Sequence, residues 1–223
     1  MDAYTHEKEQ IDQIKQWWKE NWLFLVGGLV LAIGGISGWR AWQAYELERA
    51  EAASSQYKEM LVQVAAQNAD RADATYSTLK NEYGDTVYAL LGALQRAENA
   101  LSAGDRETAM AELAWAMESG IDRELQLLAR LRLARVQLAG GDEAAALKTV
   151  AAVAKPGRFT SAFEELKGDA HYFQGDVAAA RAAYQAALDA QVDGGGDPRK
   201  LQLKIDNLAM PVGAVAGGEE AGE

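Results

Sequence analysis

The side chains that could carry out catalysis or bind a metal are few in this sequence and poorly placed for either task. The chain contains two histidines and no cysteine, which excludes disulfide bonds and thiolate chemistry. His6 and Glu7 begin the zinc-binding pattern His-Glu-x-x-His, but Gln10 stands where the second histidine is required. His171 lies in a predicted helix, and we interpret it as a packed or partly exposed helix residue rather than a metal ligand.

Acidic pairs and glycine clusters do not form an active site either. Glu164 and Glu165 are adjacent, and adjacent side chains on a helix point about 100° apart, so these carboxylates do not converge on one proton. The glycines at 194–196 follow a predicted helix rather than a strand, which excludes a dinucleotide-binding turn. We therefore expect no catalytic residue, no metal and no cofactor, and we predict that the protein is not an enzyme.

One apolar stretch, from Asn21 to Trp39, determines how the rest of the chain is organised. It contains no Lys, Arg, Asp, Glu or His. As a helix it is roughly 28 Å long, which is close to the hydrocarbon thickness of a bilayer. Tryptophans flank it where indole rings favour the membrane interface, at Trp17, Trp18, Trp22, Trp39 and Trp42. The sequence therefore predicts a single transmembrane helix.

Two other interpretations of this stretch are weaker. A buried core helix of this length normally has a polar face, and this stretch has none. A cleaved signal peptide has an apolar region of about 7–15 residues followed by a small-residue cleavage site, whereas no Ala-x-Ala pattern follows Trp39 directly. We expect an uncleaved anchor over residues 22–42, preceded by a short cytoplasmic tail at residues 1–21.

Beyond the anchor, the chain is acidic and long enough for one folded domain. The 223 residues leave room for roughly 150–170 residues in that domain, which is enough to bury a core. The net charge of −11 repels phosphate backbones, and this argues against nucleic acid as a partner.

An internal repeat predicts the fold of this domain. Among the Gly-Asp dipeptides of the sequence, those that begin at Gly104, Gly141 and Gly175 are spaced 37 and 34 residues apart. The glycine favours the left-handed end of one helix, and the aspartate caps the next helix. A small residue lies seven positions before each glycine, at Ala97, Ala134 and Gly168. Another lies five positions after it, at Ala109, Ala146 and Ala180. A larger apolar residue lies nine positions after it, at Leu113, Val150 and Tyr184. Tetratricopeptide-like helical pairs have this pattern, with a nominal period of about 34 residues.

The predicted fold is therefore all-α, with a single N-terminal transmembrane helix followed by a tetratricopeptide-like helical solenoid at residues 43–210. Within it, residues 72–83 form a helix, and Asp85 is expected to cap the helix that follows. A final helix at residues 199–210 is expected to cover the last repeat through Leu201, Leu203, Ile205 and Leu208. Residues 211–223, rich in Gly, Ala and Glu, predict a disordered acidic tail.

The repeat frame also predicts a binding surface. In a tetratricopeptide stack the first helix of each pair lines the concave face, and charged residues there are expected to be exposed. Glu98, Arg135 and Asp169 stand six residues before each Gly-Asp turn. Tyr172 and Phe173 precede the last turn and could hold apolar side chains of a bound segment. Alternatively, the two aromatic rings pack against the C-terminal helix.

In combination, several motifs resemble the ancillary SecYEG translocon subunit family of proteobacteria, and the resemblance extends over about residues 4–208. They are Lys-x-Trp-Trp-x-Glu-Asn at 15–21, Gly-Trp-Arg-x-Trp at 38–42, Leu-Arg-Leu-Ala-Arg-Val-Gln at 131–137, Ala-Ala-Leu-Lys-Thr at 145–149 and Lys-Ile-Asp-Asn-Leu at 204–208. The resemblance implies an inner-membrane protein with a periplasmic tetratricopeptide-like domain. Its implied partners are Sec translocon subunits, a membrane-anchored periplasmic chaperone and unfolded client proteins. The tail after Met210 departs from the family pattern.

Two functions follow from this sequence as hypotheses. The first is a membrane-anchored periplasmic protein-interaction and chaperone module that assists newly translocated proteins at the Sec translocon. The alternative is an envelope scaffold with one fixed folded protein partner. An anchored solenoid suits the first function because tethering near an exit site raises the effective concentration of a weak binding surface.

The orientation of the anchor can be tested with reporter fusions. The 21-residue tail carries Lys8, Lys15 and Lys19, and long domains cross a membrane largely regardless of charge, so we expect a cytoplasmic N-terminus and a periplasmic domain. Alkaline phosphatase fused after Met210 should be active, whereas a reporter that works only in the cytoplasm should be inactive there. The reverse pattern would contradict this orientation.

Overall fold

The computed structural model describes residues 3–191 and 198–208, and the regular structure in these ranges is helical. No strand occurs there, which confirms the predicted all-α class. The α-helices are α1 (Ala3–Ala65), α2 (Ala69–Glu82), α3 (Val87–Ser102), α4 (Arg106–Glu118), α5 (Arg123–Ala139), α6 (Glu143–Ala151), α7 (Thr160–Phe173), α8 (Val177–Asp189) and α9 (Pro198–Asn207), with a 3-10 turn at Gly157–Phe159 before α7.

Helix α1 contains the predicted membrane span. Among the described residues it is the one helix that is long and apolar enough to cross a bilayer, with a mean hydropathy of 1.8 in its most apolar window. The side chains of that window are not buried by the rest of the chain, as a lipid-facing surface requires. The chain divides into two compact units between Ala52 and Ala53, while the domain boundaries drawn from the sequence stay predictions.

The three Gly-Asp turns have the geometry that the repeat predicts. Gly104, Gly141 and Gly175 have φ values of 81°, 80° and 80°, in the left-handed region that side chains with a Cβ disfavour. The aspartate after each glycine accepts a hydrogen bond at its Oδ1 atom from the backbone N–H three residues later, and these caps begin α4, α6 and α8. The prediction of helix, turn and helix is therefore confirmed at all three sites.

The repeating small residues lie where the paired helices approach each other. Ala109, Ala146 and Ala180 on the second helices have no exposed surface. Leu113, Val150 and Tyr184, one turn further along, are also buried, as are Ala97, Ala134 and Gly168 on the first helices. Burial at every position of the frame confirms that the repeat register was assigned correctly.

Several helix boundaries differ from the prediction because side chains cap the helices earlier or later than expected. Helix α2 begins at Ala69, since the Asn68 side chain accepts a hydrogen bond from the N–H of Arg71. Thr86, and not Asp85, is the N-cap of α3, because its hydroxyl oxygen accepts from the N–H of Ala89. The last two residues of the helix predicted at 199–210, and the tail at 211–223, lie outside the described residues.

Helix α9 covers the end of the last repeat, as the sequence predicted. Its buried side chains are Leu201, Ile205 and Leu208, and they pack against Ala180, Tyr184 and Ala187 of α8. Leu203 was also expected to pack there, but 61% of its surface is exposed, because it points away from the row formed by the other three. The predicted packing of Leu203 is therefore wrong.

The pairing of helices in the repeat unit determines which face stays open. Helices α3 and α4, α5 and α6, and α7 and α8 pack as successive pairs, and α4–α5 and α6–α7 contacts join one pair to the next. The first helices also touch each other, because α5 contacts both α3 and α7. Helices α3, α5 and α7 therefore lie side by side and form one surface.

A substitution at Ala146 tests this packing. Ala146→Leu adds three carbon atoms at a fully buried site, and overpacking of this kind typically costs about 1–3 kcal/mol. We expect a lower midpoint of thermal unfolding for the full chain in detergent, measured by circular dichroism. The control is Ala144→Leu, which makes the same change at an exposed position of the same helix. Equal midpoints for the two variants would contradict the repeat frame.

Candidate functional site

The candidate site is a row of three cavities on the surface formed by α3, α5 and α7. The first cavity, of about 260 Å³, lies between α3 and α5 and is lined by Leu94, Ala97, Glu98, Leu101, Leu113, Arg132, Arg135 and Val136. Its walls are mostly aliphatic, with two arginines and one glutamate among them. We call this cavity the arginine end.

The second cavity, of about 770 Å³, lies between α5 and α7 and shares Arg135 with the first. Its other lining residues are Leu138, Ala139, Gly141, Glu143, Ala162, Glu165, Leu166, Asp169, Phe173 and Lys200. A third cavity, of about 340 Å³, shares Asp169 and Phe173 with the second and extends to Tyr172, Tyr184, Lys204, Asn207 and Leu208. We call this third cavity the aromatic end, and the three together the groove.

The groove brings together the residues that the repeat frame selected. Glu98 and Arg135 line the first cavity, Arg135, Asp169 and Phe173 line the second, and Tyr172 lines the third. Shared residues connect each cavity to the next, so all five predicted side chains border one continuous surface. Whether this surface binds a partner stays a prediction.

The expectation that all the charged residues of this surface are exposed is wrong for Asp169. Glu98 and Arg135 are exposed, but Asp169 is half-buried. Its Oδ1 atom accepts hydrogen bonds from the Tyr184 hydroxyl at 2.8 Å and from the Lys204 ammonium at 2.5 Å. Helix α9 supplies Lys204, so the partial burial of Asp169 follows from an ion pair across the helix that covers the last repeat, which the sequence frame did not predict.

The aromatic pair projects into solvent rather than into the core. Phe173 is 63% exposed and Tyr172 is 36% exposed. Their ring centroids are 5.8 Å apart with the ring planes at 63°, an edge-on arrangement typical of favourable aromatic contacts. The alternative, that both rings pack against the C-terminal helix, does not fit the exposure of Phe173, and α9 makes its apolar contacts with α8 instead.

An ion-pair network borders the second and third cavities. Glu165 accepts from Lys200 at 2.9 Å and from Lys204 at 2.7 Å, and Lys204 also bridges to Asp169. Burial opposes ionisation of Glu165, but the hydrogen bonds from Lys204 and Lys200 outweigh it and lower the pKa of this carboxyl. Burial and the hydrogen bond to Asp169 raise the pKa of the Tyr184 hydroxyl, which therefore stays protonated.

Sequence reasoning missed Glu165, Lys200, Lys204 and Arg132 as residues of this surface. A signal for part of the network was present, since Glu165 and Asp169 are four residues apart on α7, and Lys200 and Lys204 are four apart on α9. Side chains at this spacing share a helix face. Two such faces of opposite charge predict an ion-pair contact once the two helices are known to be neighbours.

Metal chemistry has no support from the arrangement of ligands. In the part of the chain that the structure describes, no group of three or more His, Asp or Glu side chains could hold a metal ion. The carboxylates of the groove that are closest together, Glu165 and Asp169, are bound to lysines. What this surface can do is bind another molecule through charge pairs and apolar contacts.

The repeat fold, the groove and the apolar N-terminal helix define a helical-repeat protein of the tetratricopeptide class with a candidate membrane span. The model of the tetratricopeptide repeat-like domain family matches residues 15–210. The chain is 30% identical over 213 residues to the ancillary SecYEG translocon subunit of Escherichia coli (strain K12), with 94% of this chain and 100% of the relative covered.

Two further relatives carry the same name. The protein of Aggregatibacter actinomycetemcomitans is 33% identical over 207 residues, and that of Haemophilus influenzae is 32% identical over 207 residues. Each alignment covers 92% of this chain and 100% of the relative. The chain therefore belongs to the ancillary SecYEG translocon subunit family. No solved structure matches it.

The lowered pKa of Glu165 predicts a pH-dependent contribution to stability. Because the carboxyl titrates below its ordinary value of 4.5 in the folded chain, its contribution is fully present above that value and is lost as the pH falls through the lower folded pKa. Glu165→Gln should therefore lower the midpoint of denaturant unfolding most at neutral pH, and the difference from wild type should shrink below pH 4.5.

The control for this measurement is Glu107→Gln, which removes an exposed carboxylate outside the groove and changes the net charge equally. Circular dichroism of both variants and the wild type in denaturant, repeated across the pH range, separates the two effects. A difference between Glu165→Gln and wild type that is the same at pH 7 and at acidic pH would contradict the role of the ion pairs.

Proposed function

We propose that this protein is a single-pass inner-membrane protein-interaction module that associates with the Sec translocon and binds polypeptide segments in the groove. One observation carries the proposal: an open groove with exposed charged and aromatic side chains lies on a tetratricopeptide-like repeat. The chain that bears it aligns with the full length of relatives named ancillary SecYEG translocon subunits.

The proposed membrane topology consists of a cytoplasmic tail at residues 1–21, an anchor at 22–42 and a periplasmic repeat domain from 43 onward. The clients are newly translocated proteins that have not yet folded, and a membrane-anchored periplasmic chaperone is a further partner. The apolar part of α1 and the family of the chain support membrane attachment. The short lysine-bearing tail supports the orientation.

The groove has the features that transient binding of an extended segment requires. Its exposed aromatic pair, Tyr172 and Phe173, offers apolar surface that a client side chain can cover, at about 25 cal/mol per Å² of buried area. Charged residues at the arginine end, Arg135 and Glu98, are exposed to water and can pair with a segment as it arrives. Each contact is weak, which allows release, and the anchor compensates by keeping the groove near the membrane.

The proposal assigns no catalytic step to the protein. Every charged side chain that lines the groove can act by pairing or orienting a bound segment. A folded partner that fits the groove permanently is the competing envelope-scaffold hypothesis. Binding of several unrelated unfolded proteins favours the chaperone-like module, and binding of one folded protein alone favours the scaffold.

Groove variants of the full chain test this function. Arg135→Glu, and the double variant Tyr172→Ala with Phe173→Ala, should reduce capture of unfolded clients severalfold, because the first reverses a charge and the second removes exposed apolar surface, and neither changes the core. Capture is measured as suppression of client aggregation, and co-purification of Sec subunits from mild detergent is measured in parallel. The thermal unfolding midpoint should stay close to that of wild type.

Arg181→Glu is the matched control, since Arg181 is an exposed arginine on α8 outside the groove. Wild-type capture by both groove variants would remove the groove from the mechanism. A large drop in the unfolding midpoint of the aromatic double variant would assign Tyr172 and Phe173 to the core. Absence of Sec subunits from the purified wild-type protein would contradict the translocon association.

A further inference from the structure

We infer that the arginine end of the groove selects polypeptide segments in which aliphatic side chains alternate with Asp or Glu. This inference rests on the proposed function, because it names the chemistry of the segment that the same groove takes. Two independent features of this cavity carry it: an aliphatic floor and a pair of arginines for which the described residues supply no ion-pair partner.

The floor of the arginine end is apolar, and its rim is open to solvent. Leu94, Leu113 and Val136 form it from three different helices, and each is buried against the core. Leu101 stands at the rim with 42% of its surface exposed. The cavity volume of about 260 Å³ is several times larger than the roughly 30 Å³ that one water molecule occupies in the liquid. A branched aliphatic side chain fits such a space and gains from leaving water.

The arginines beside this floor have no ion-pair partner among the side chains that the structure describes. Arg132 and Arg135 are three residues apart on α5, so they project from one face of that helix. Other cations that border the groove are neutralised within the fold, since Lys200 and Lys204 bind Glu165. A guanidinium presents a planar fork of donors that matches a carboxylate with two parallel hydrogen bonds.

The distribution of charge along the groove sets the position of the acidic residue in the bound segment. At the arginine end, two arginines stand against one carboxylate, that of Glu98. The second cavity, by contrast, is lined by Glu143, Glu165 and Asp169 against Arg135 and Lys200. An acidic side chain is therefore favoured beside the arginines of α5 over α7, where Lys200 and Lys204 are already paired with Glu165 and Asp169, and this difference favours one register of a segment in the groove.

A polypeptide fits these features better than other anions do. The aliphatic floor lies directly beside the arginines, and a segment with alternating side chains contacts both at once. A nucleic acid would contact the arginines alone, and the net charge of −11 would repel its remaining phosphates. We therefore commit to a segment of another protein as the occupant.

The test uses the full chain in nanodiscs and three fluorescein-labelled peptides, with empty nanodiscs as the blank. The acidic probe is Gly-Ser-Leu-Asp-Leu-Glu-Leu-Ser-Gly. In the second peptide Asn and Gln replace the acids, and in the third Lys replaces both. Fluorescence anisotropy should show about tenfold tighter binding of the acidic probe than of the amide peptide, since one charge-assisted pair is worth about that factor. The preference should weaken between about 0.05 and about 0.5 M salt.

Variants assign this preference to named side chains. The double variant Arg132→Gln with Arg135→Gln should bind the acidic and amide peptides equally, whereas Arg181→Gln should keep the preference. Leu101→Ser should weaken both peptides by a similar factor, because it removes apolar surface and no charge. Leu203→Ser is its control, since Leu203 is exposed on α9 outside the groove.

Each contrary outcome has a distinct meaning. Equal binding of acidic and amide peptides by the wild type would overturn the acidic preference and leave the proposed function standing. Failure of all three peptides to bind would count against the groove as a polypeptide site, and so against both. Binding of the acidic probe only after removal of residues 209–223 would identify that segment as the occupant and overturn the inference. Self-association that the arginine double variant abolishes would overturn it in favour of a second copy.

Discussion

Close approach of paired helices is the constraint on which the rest of the repeat domain depends. A Cβ atom added at Gly168 would lie 2.4 Å from ring carbons of Tyr184, so α7 and α8 can be this close only with glycine at that position. Ala109 and Ala146 meet the same requirement in the other two pairs, where no part of either residue is exposed. Larger side chains there would separate the helices and open voids, and cores tolerate either change poorly. The spacing of the pairs in turn brings α3, α5 and α7 into contact and creates the groove.

Networks of hydrogen bonds and ion pairs also hold neighbouring helices together, in addition to the close packing of small residues. Between α2, α3 and α4 the Tyr76 hydroxyl donates to Glu112, which also binds Lys80 at 2.7 Å. Arg96 reaches Asp73 at 3.1 Å in the same cluster. Burial, reinforced by the hydrogen bond to Glu112, raises the pKa of Tyr76, so this hydroxyl keeps its proton and continues to donate. The Tyr76 hydroxyl, Lys80 and Glu112 are paired within this interface, which is the condition under which polar side chains in an interior do not destabilise it, whereas Asp73 lies at the exposed edge.

The second network has a different consequence because it borders the groove. Lys204 of α9 joins Glu165 and Asp169 of α7, so the helix that covers the last repeat also neutralises the charges beside the aromatic end. Carboxylates of neighbouring helices line the same cavities as Arg132 and Arg135, but among the described side chains none forms an ion pair with either arginine. The uneven charge of the groove therefore follows from where α9 lies, because this helix supplies the lysines that pair with the carboxylates of α7. A binding surface with such a gradient favours one direction of a bound chain over the other.

Much of the architecture was determined by the sequence alone. The apolar stretch, the Gly-Asp turns and the positions of Ala109, Ala146 and Ala180 act through local rules, namely helix capping, glycine at positive φ and helical periodicity, and these rules need no knowledge of distant residues. The same frame selected five of the residues that line the groove. Local rules failed where neighbouring side chains compete, as at Thr86, which caps α3 in place of Asp85.

Only the tertiary structure decided which charged groups of the groove are paired. The ion-pair partner of Asp169 is Lys204 on α9, 35 residues away in sequence. Helical periodicity does not predict a contact over such a separation. Exposure of Phe173 and burial of Asp169 depend in the same way on where α9 lies against α7 and α8. Helix formation is governed by contacts within one turn, whereas ion pairing between helices is governed by the packing of the whole stack.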